Sequence, residues 1–249
     1  MSTKVVANEF AKMRHLHIGT ILAALFALVL GLVFYSTVLD PSFTPGSEQA
    51  WNLLLNGIVQ GALIASPLLI AVLASRQVDI EHQGNGWLLS ATSGATAGRL
   101  SRAKLFALGS LITVAVSLAS VIALIFGMAT LGSDIAIPVD RWVGITISVL
   151  AINLAILAIH IVLSTRVENQ LVGIGVGLLG MIFALIATGL PTWAIHLLPW
   201  GYYALSMPAE YQGTTLVEGT PAYASVAILA VVVTILFTLV TGRLDRKEA

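Results

Sequence analysis

Residues Asn169–Ala209 read NQLVGIGVGLLGMIFALIATGLPTWAIHLLPWGYYALSMPA, 41 positions without one charged side chain. A membrane span needs roughly 20 mostly apolar residues, so the stretch has room for two. Its first half, Leu171–Leu190, is plainly apolar. The second half carries Pro191, Trp193, His196, Pro199, Trp200, Gly201, Tyr202, Tyr203 and Pro208. Proline removes a backbone donor and breaks a helix, and amphipathic rings favour a membrane–water boundary. The second half therefore suits an interfacial or re-entrant segment better than a straight crossing. One crossing here makes six in all, the others lying within Ile18–Leu39, Gln49–Ser75, Leu105–Ser133, Trp142–Thr165 and Gly219–Gly242.

The rest of the chain agrees. Of 249 residues, 57% are apolar and only 10% charged, and mean hydropathy is +0.95. A soluble domain carries roughly a quarter charged residues, so this chain lacks the polar surface to dissolve itself. Twelve basic and twelve acidic residues cancel, which removes a bulk attraction to nucleic acid. With no cysteine there is no disulfide framework, thiolate metal site or cysteine nucleophile. The expected fold is an all-α integral membrane protein, one six-span domain over residues 1–249.

Charge placement tests that count. With an inner N-terminus and six crossings, Lys4, Lys12, Arg14, Arg76, Arg99, Arg102, Lys104, Arg166, Arg243, Arg246 and Lys247 all fall inside, and only Arg141 outside. The acids split evenly, with Asp40, Glu48, Asp134, Asp140, Glu210 and Glu218 outside. Such a bias in Lys/Arg alone is what the positive-inside rule requires. A seventh span through Pro191–Met207 would translocate the basic C-terminus. Tyr35, Trp51, Trp142, Trp193, Trp200, Tyr202, Tyr203, Tyr211 and Tyr223 all fall at outer span ends, which predicts one aromatic belt there. Within residues 1–17, Asn8–His17 (NEFAKMRHLH) reads as an amphipathic helix on the inner surface, or as a simple basic topology anchor.

Enzyme chemistry finds few reagents. No HExxH, GxSxG or Gly-rich phosphate loop occurs, no metal-ligand cluster is apparent, and every Asp and Glu lies outside the six charge-free spans. Any ATP must be hydrolysed on another chain. Inside the bundle, Asn56, Gln60 and Asn153 stand out, because an amide in lipid must find a partner. They read either as interhelical glue or as contacts along a substrate pathway. The rows Gly173/Gly177 and Gly180/Ala184/Thr188 are small-xxx-small patterns that predict a close helix contact, within one protomer or between two.

One long inner connection remains, residues 76–104. Asp79 and Glu81 precede a Gly84-Asn85-Gly86 turn, then Trp87-Leu88-Leu89, then small residues ending in Arg99, Arg102 and Lys104. Trp87 reads as an exposed knob for a partner's pocket, or as part of a short helix on the inner lipid boundary.

The pattern Glu81-x-x-Gly84-Asn85-x-Trp87, with Lys104 opening the next span, resembles the first cytoplasmic loop of type-2 ABC exporter permeases. In that family an acidic residue precedes a Gly-Thr or Gly-Asn turn and an apolar segment, and a lysine opens the third span. Glu9-x-x-Lys12 before the first span, six spans and a broken segment before the sixth also match. The length, the Gly-Asn turn and LPWGYY at Leu198–Tyr203 look most like permeases that protect bacteria against lantibiotics. The loop departs from the commoner pattern in carrying Ser93-Gly94-Ala95-Thr96 where a proline-containing segment usually stands.

The resemblance implies a permease subunit in a bacterial plasma membrane, both termini cytoplasmic, exporting an amphipathic peptide or lipid-like drug. It implies pairing with a second copy or a related permease, and an ABC ATPase that carries the ATP and Mg, with no cofactor on this chain. Arg76, Asp79, Glu81, His82, Gln83, Gly84, Asn85 and Trp87 would form the coupling element, with Arg166 and Glu168 a second contact. The substrate would be taken from the cell or the membrane and leave outward, and within residues 191–222 Pro191, Trp193, Pro199, Trp200, Tyr202 and Tyr203 would form an outer gate. A non-transporting scaffold or sensor subunit and a small secondary transporter are the alternatives.

Overall fold

The computed structural model describes residues 3–40, 43–44, 47–131, 136–212 and 215–248. Asp134, residues 1–2 of the N-terminal segment and residues 213–214 of the 191–222 segment lie outside them. In chain order the elements are α1 (Thr3–Met13), α2 (Ile18–Val38), α3 (Glu48–Gln83), α4 (Gly86–Thr92), α5 (Ala97–Leu131), α6 (Val139–Arg166) and α7 (Gln170–Ala187). There follow α8 (Thr192–Ile195), a 3-10 turn at Pro199–Gly201, α9 (Tyr202–Leu205), strands β1 (Ala209–Gln212) and β2 (Thr215–Glu218), and α10 (Tyr223–Glu248). Among the described residues six helices are long and apolar enough to cross a membrane: α2, α3, α5, α6, α7 and α10. The all-α, six-span reading stands.

The spans are not equivalent. Apolar windows of α3 and α6 are mostly buried, whereas those of the other four face outward over most of their surface. Close approach of small residues sets this arrangement. A Cβ at Gly177 of α7 would lie 2.4 Å from Ala71 Cβ of α3, and one at Gly173 2.5 Å from Ser75 Oγ. The α7 row therefore packs within the protomer, against α3. A second row, Gly57/Gly61 on α3, admits the α2 backbone in the same way: a Cβ at Gly61 would sit 2.9 Å from the Val29 carbonyl oxygen. That row is equally visible as G-x-x-x-G, although it was not among the patterns singled out above.

Three expectations need correction. First, most of the aromatic belt is core. Trp51, Trp142, Trp200, Tyr202 and Tyr203 are buried, while Tyr35 and Trp193 stay exposed. Trp51 packs edge-on against Trp142 at 5.7 Å, and the Trp142 indole N–H donates to Ser120 Oγ at 2.9 Å. Rings at a span end can point inward as readily as outward, and helices with small residues leave them room.

Second, the connection over residues 76–104 is mostly helix. The third element continues through Arg76 to Gln83, and α5 already begins at Ala97. A charge-free window stops at the first ionic residue; pairing of those residues lets the helices run on. Likewise α1 spans Thr3–Met13 rather than Asn8–His17, and His17 (φ 55°) turns the chain into α2. Third, β1 and β2 form an antiparallel hairpin pairing Ala209 with Glu218 and Glu210 with Val217, which no sequence reading anticipated. It covers Leu53 of α3 with Ala209 and Leu216.

The proline-rich segment is re-entrant. Trp200 lies against Gly180, where a Cβ would come within 2.3 Å of the indole, and 6.1 Å ring-to-ring from His160 of α6. Gly180 lies seven residues before the end of α7, so the indole reaches back ~10 Å from that end into the bundle.

Candidate functional site

At the basic end of the bundle, four charges from three helices meet. Lys104 of α5 is wholly buried and donates to Glu9 Oε2, to Glu81 Oε1 and to the Gln77 carbonyl oxygen, each at 2.8 Å. Lys12 of α1 donates to Glu9 Oε1 at 2.9 Å and to Glu81 Oε1. The Gln77 side-chain amide donates to Glu9 Oε2 at 2.8 Å. Two carboxylates and two ammonium groups balance, and each Lys104 proton has an acceptor. That is the condition under which buried ions are tolerated at all. Burial disfavours the Lys12 charge, but hydrogen bonds to Glu81 and Glu9 outweigh it and raise its pKa above the ordinary lysine value.

The turn beside this cluster is shaped by it. Asn85 adopts φ 50°, a left-handed conformation that Asn tolerates better than most residues, and begins α4. Gly86 folds back on the end of α3, where a Cβ would lie 2.6 Å from Glu81 Oε2. Trp87 then turns inward instead of projecting. Its indole N–H donates to His82 Nδ1 at 3.2 Å. An indole nitrogen can only donate, so the imidazole proton sits on Nε2 and points at the Ser164 carbonyl oxygen, 2.9 Å away at the end of α6. The exposed apolar residues of the turn are Leu88 and Leu89, 65% and 66% accessible.

Of the residues expected to meet a partner, Gln83, Gly84, Asn85, Arg166 and Glu168 are exposed, as is Arg76, which donates to the Leu16 carbonyl oxygen at 3.2 Å. Asp79 accepts from Gln83. Glu81 is buried in the ion cluster, and His82 joins the 79–89 and 164–170 segments into one surface. The fourth helical contact at this end belongs to α10. Asp245 accepts from the Arg99 backbone N–H at 3.1 Å and from Arg102 at 2.8 Å, satisfying a donor in the first turn of α5. The pairing of Glu9, Lys12, Glu81 and Lys104 escaped sequence reasoning. The available signal was four opposite charges at three span ends, with Gln77 and Glu81 one turn apart on a helix face.

Around the opposite end, the midplane amides part company. Asn153 of α6 is buried and accepts from the Tyr203 hydroxyl of the re-entrant segment. Asn56 and Gln60 of α3 instead share a cavity of about 570 Å³ with Thr192 and Glu210. Pro191 starts α8 and Pro199 the 3-10 turn, placing Tyr202 beside His196 at 5.4 Å between ring centroids; Trp193 faces outward.

Six apolar helices around these two polar ends define a multi-pass membrane protein. The chain belongs to the ABC-2 family transporter protein family, which it matches over residues 5–184, from α1 into α7. It is therefore a permease component of an ABC transporter, a family role that entails an ATPase partner. No curated protein matches the chain.

Proposed function

We propose that the chain is the membrane half of an exporter that moves an amphipathic substrate, an antimicrobial peptide or a lipid-like drug, out of a bacterial plasma membrane. Both termini are cytoplasmic, in keeping with the eleven basic residues at one end, and the permease pairs with a second copy or a related chain. An ABC ATPase, holding ATP and Mg, docks on the surface made by residues 83–89 and 166–168.

The observation that carries this reading is the buried Glu9–Lys12–Glu81–Lys104 cluster directly behind that surface. Leu88 and Leu89 supply an apolar plug. Behind it, α1, α3 and α5 are clamped by ion pairs, so a push on α4 moves three helices as one body instead of fraying a loop. Glu81 is a positioning residue in this scheme: it touches the plug's backbone turn and the clamp, not the ATPase. Nucleotide-driven closure of the ATPases then biases the bundle between two arrangements.

Affinity purification of the tagged chain from its native membrane should bring down an ABC ATPase in near-equal amount. The double variant Leu88→Ser/Leu89→Ser should insert normally yet lose that partner and substrate efflux. A chain that supports efflux with no ATPase present would sink the reading in favour of a secondary transporter.

A further inference from the structure

The cavity beside the re-entrant segment holds polar groups that the fold leaves unused. Asn56 is only 5% exposed, lines the cavity, and its side-chain carbonyl oxygen has no hydrogen-bond partner. An acceptor buried that deeply without a donor costs on the order of 1–3 kcal/mol, which a ligand's N–H can recover. Gln60, one turn further along α3, makes no hydrogen bond among the described residues, and neither does the carboxylate of Glu210, an exposed residue of the cavity lining. The lining contains no lysine or arginine. Arg141, the cation nearest the hairpin, is committed to Asn52, Glu218 and two backbone carbonyls. Ile195, Leu205 and Met207 supply an apolar wall next to these acceptors.

From that juxtaposition we infer that the cavity is a receiving site for the protonated amine of an amphipathic substrate. The Asn56 and Gln60 carbonyl oxygens accept its N–H groups, Glu210 balances its charge, and its apolar body lies along Ile195, Leu205 and Met207. The site is built from α3, the end of α7, the re-entrant segment and the hairpin of a single protomer. Most of that wall lies beyond residue 184, where the family match ends. The inference rests on the permease reading and adds to it the chemical class of the cargo's head.

The test needs neither ATPase nor nucleotide. The full chain in nanodiscs of zwitterionic phosphatidylcholine is titrated with dansylcadaverine, a primary alkylamine carrying a fluorophore, and bound probe is read by anisotropy against empty discs. Saturable binding is expected, weakened about tenfold by Glu210→Gln and by Gln60→Ala, with Asn56→Leu at least as severe where it folds. The N-acetylated probe, which has lost its charge, should bind about tenfold more weakly. Binding no greater than to empty discs overturns the proposal, and so does equal affinity for the acetylated probe or indifference to Glu210→Gln. Any of those results leaves the permease reading intact, since that is decided separately by the co-purified ATPase.

Discussion

Each end of the bundle is tied together by charge, but in opposite ways. At the basic end, Lys104 and Glu9 are wholly inaccessible, and four ionic groups from α1, α3 and α5 close on one another. At the hairpin end a single arginine does the tying. Arg141 of α6 donates to Asn52 of α3 at 2.9 Å, to the Pro208 and Gly219 carbonyl oxygens at 2.8 and 2.9 Å, and to Glu218, a carboxylate that is 65% exposed. Desolvated ions hold firmly because a broken pair leaves a charge stranded. A solvent-bathed pair can open and close at little cost. The difference teaches which end is braced and which end can yield: a rigid clamp of buried ions at the basic end, and a solvent-bathed latch beside the cavity at the hairpin end.

Breaking the clamp should give the largest effect. Lys104→Met removes the buried cation that Glu9 and Glu81 share and leaves two buried carboxylates to the half-buried Lys12 alone, costing about 3–5 kcal/mol by the usual penalty for breaking a buried ion network. A much lower melting temperature in detergent, and loss of folded protein on size exclusion, are the readouts. A variant as stable as the parent would mean the four charges are not the brace they look like.

Next comes the contact between re-entrant segment and bundle. Gly180→Val places a branched side chain where a Cβ alone would already overlap the Trp200 indole. Overpacking of that kind costs about 1–3 kcal/mol, and the segment should gain protease sensitivity while α1–α6 keep their stability. Unlatching the hairpin is milder. Arg141→Gln gives up hydrogen bonds to two carbonyls and a mostly exposed ion pair, about 1 kcal/mol, and should quicken hydrogen exchange in β1 and β2 without lowering the global melting temperature.

Titration sharpens the contrast further. The raised pKa of Lys12 means that its contribution is whole below the ordinary lysine value of 10.5 and is lost only as pH climbs through the higher folded-state value. Docking of α1, followed by hydrogen exchange of Thr3–Met13, should therefore hold flat from neutral pH up to 10.5 and weaken only above it. Smallest of all is Leu88→Ala with Leu89→Ala. Both side chains are exposed, so stability should shift by less than about 0.5 kcal/mol while coupling to the ATPase is lost.

The clamp also shows where sequence reading stops. Glu9, Lys12, Glu81 and Lys104 were each visible as members of short patterns, yet nothing in their spacing said that residues up to 95 positions apart share one hydrogen-bonded knot. For the same reason Glu81 looked like a surface contact, and Trp87 like a knob. The Gly84-Asn85-Gly86 turn was legible because left-handed backbone selects for those residue types. The direction in which it aims Trp87 was not, since that depends on His82 and on Ser164 of another helix.

Length, composition and charge placement by themselves determined six spans, one broken segment ahead of the last of them, and a basic end. Those features depend on how many apolar residues cross a bilayer and on which residues break a helix, both of which are local. Only the tertiary structure decided that α3 and α6 are central, that the α7 glycine row faces its own protomer, and that the amides divide between a buried bond and an open cavity. Lipid is as apolar as a protein core, so a span that faces lipid and one that faces the interior are written with the same residues, and only packing tells them apart.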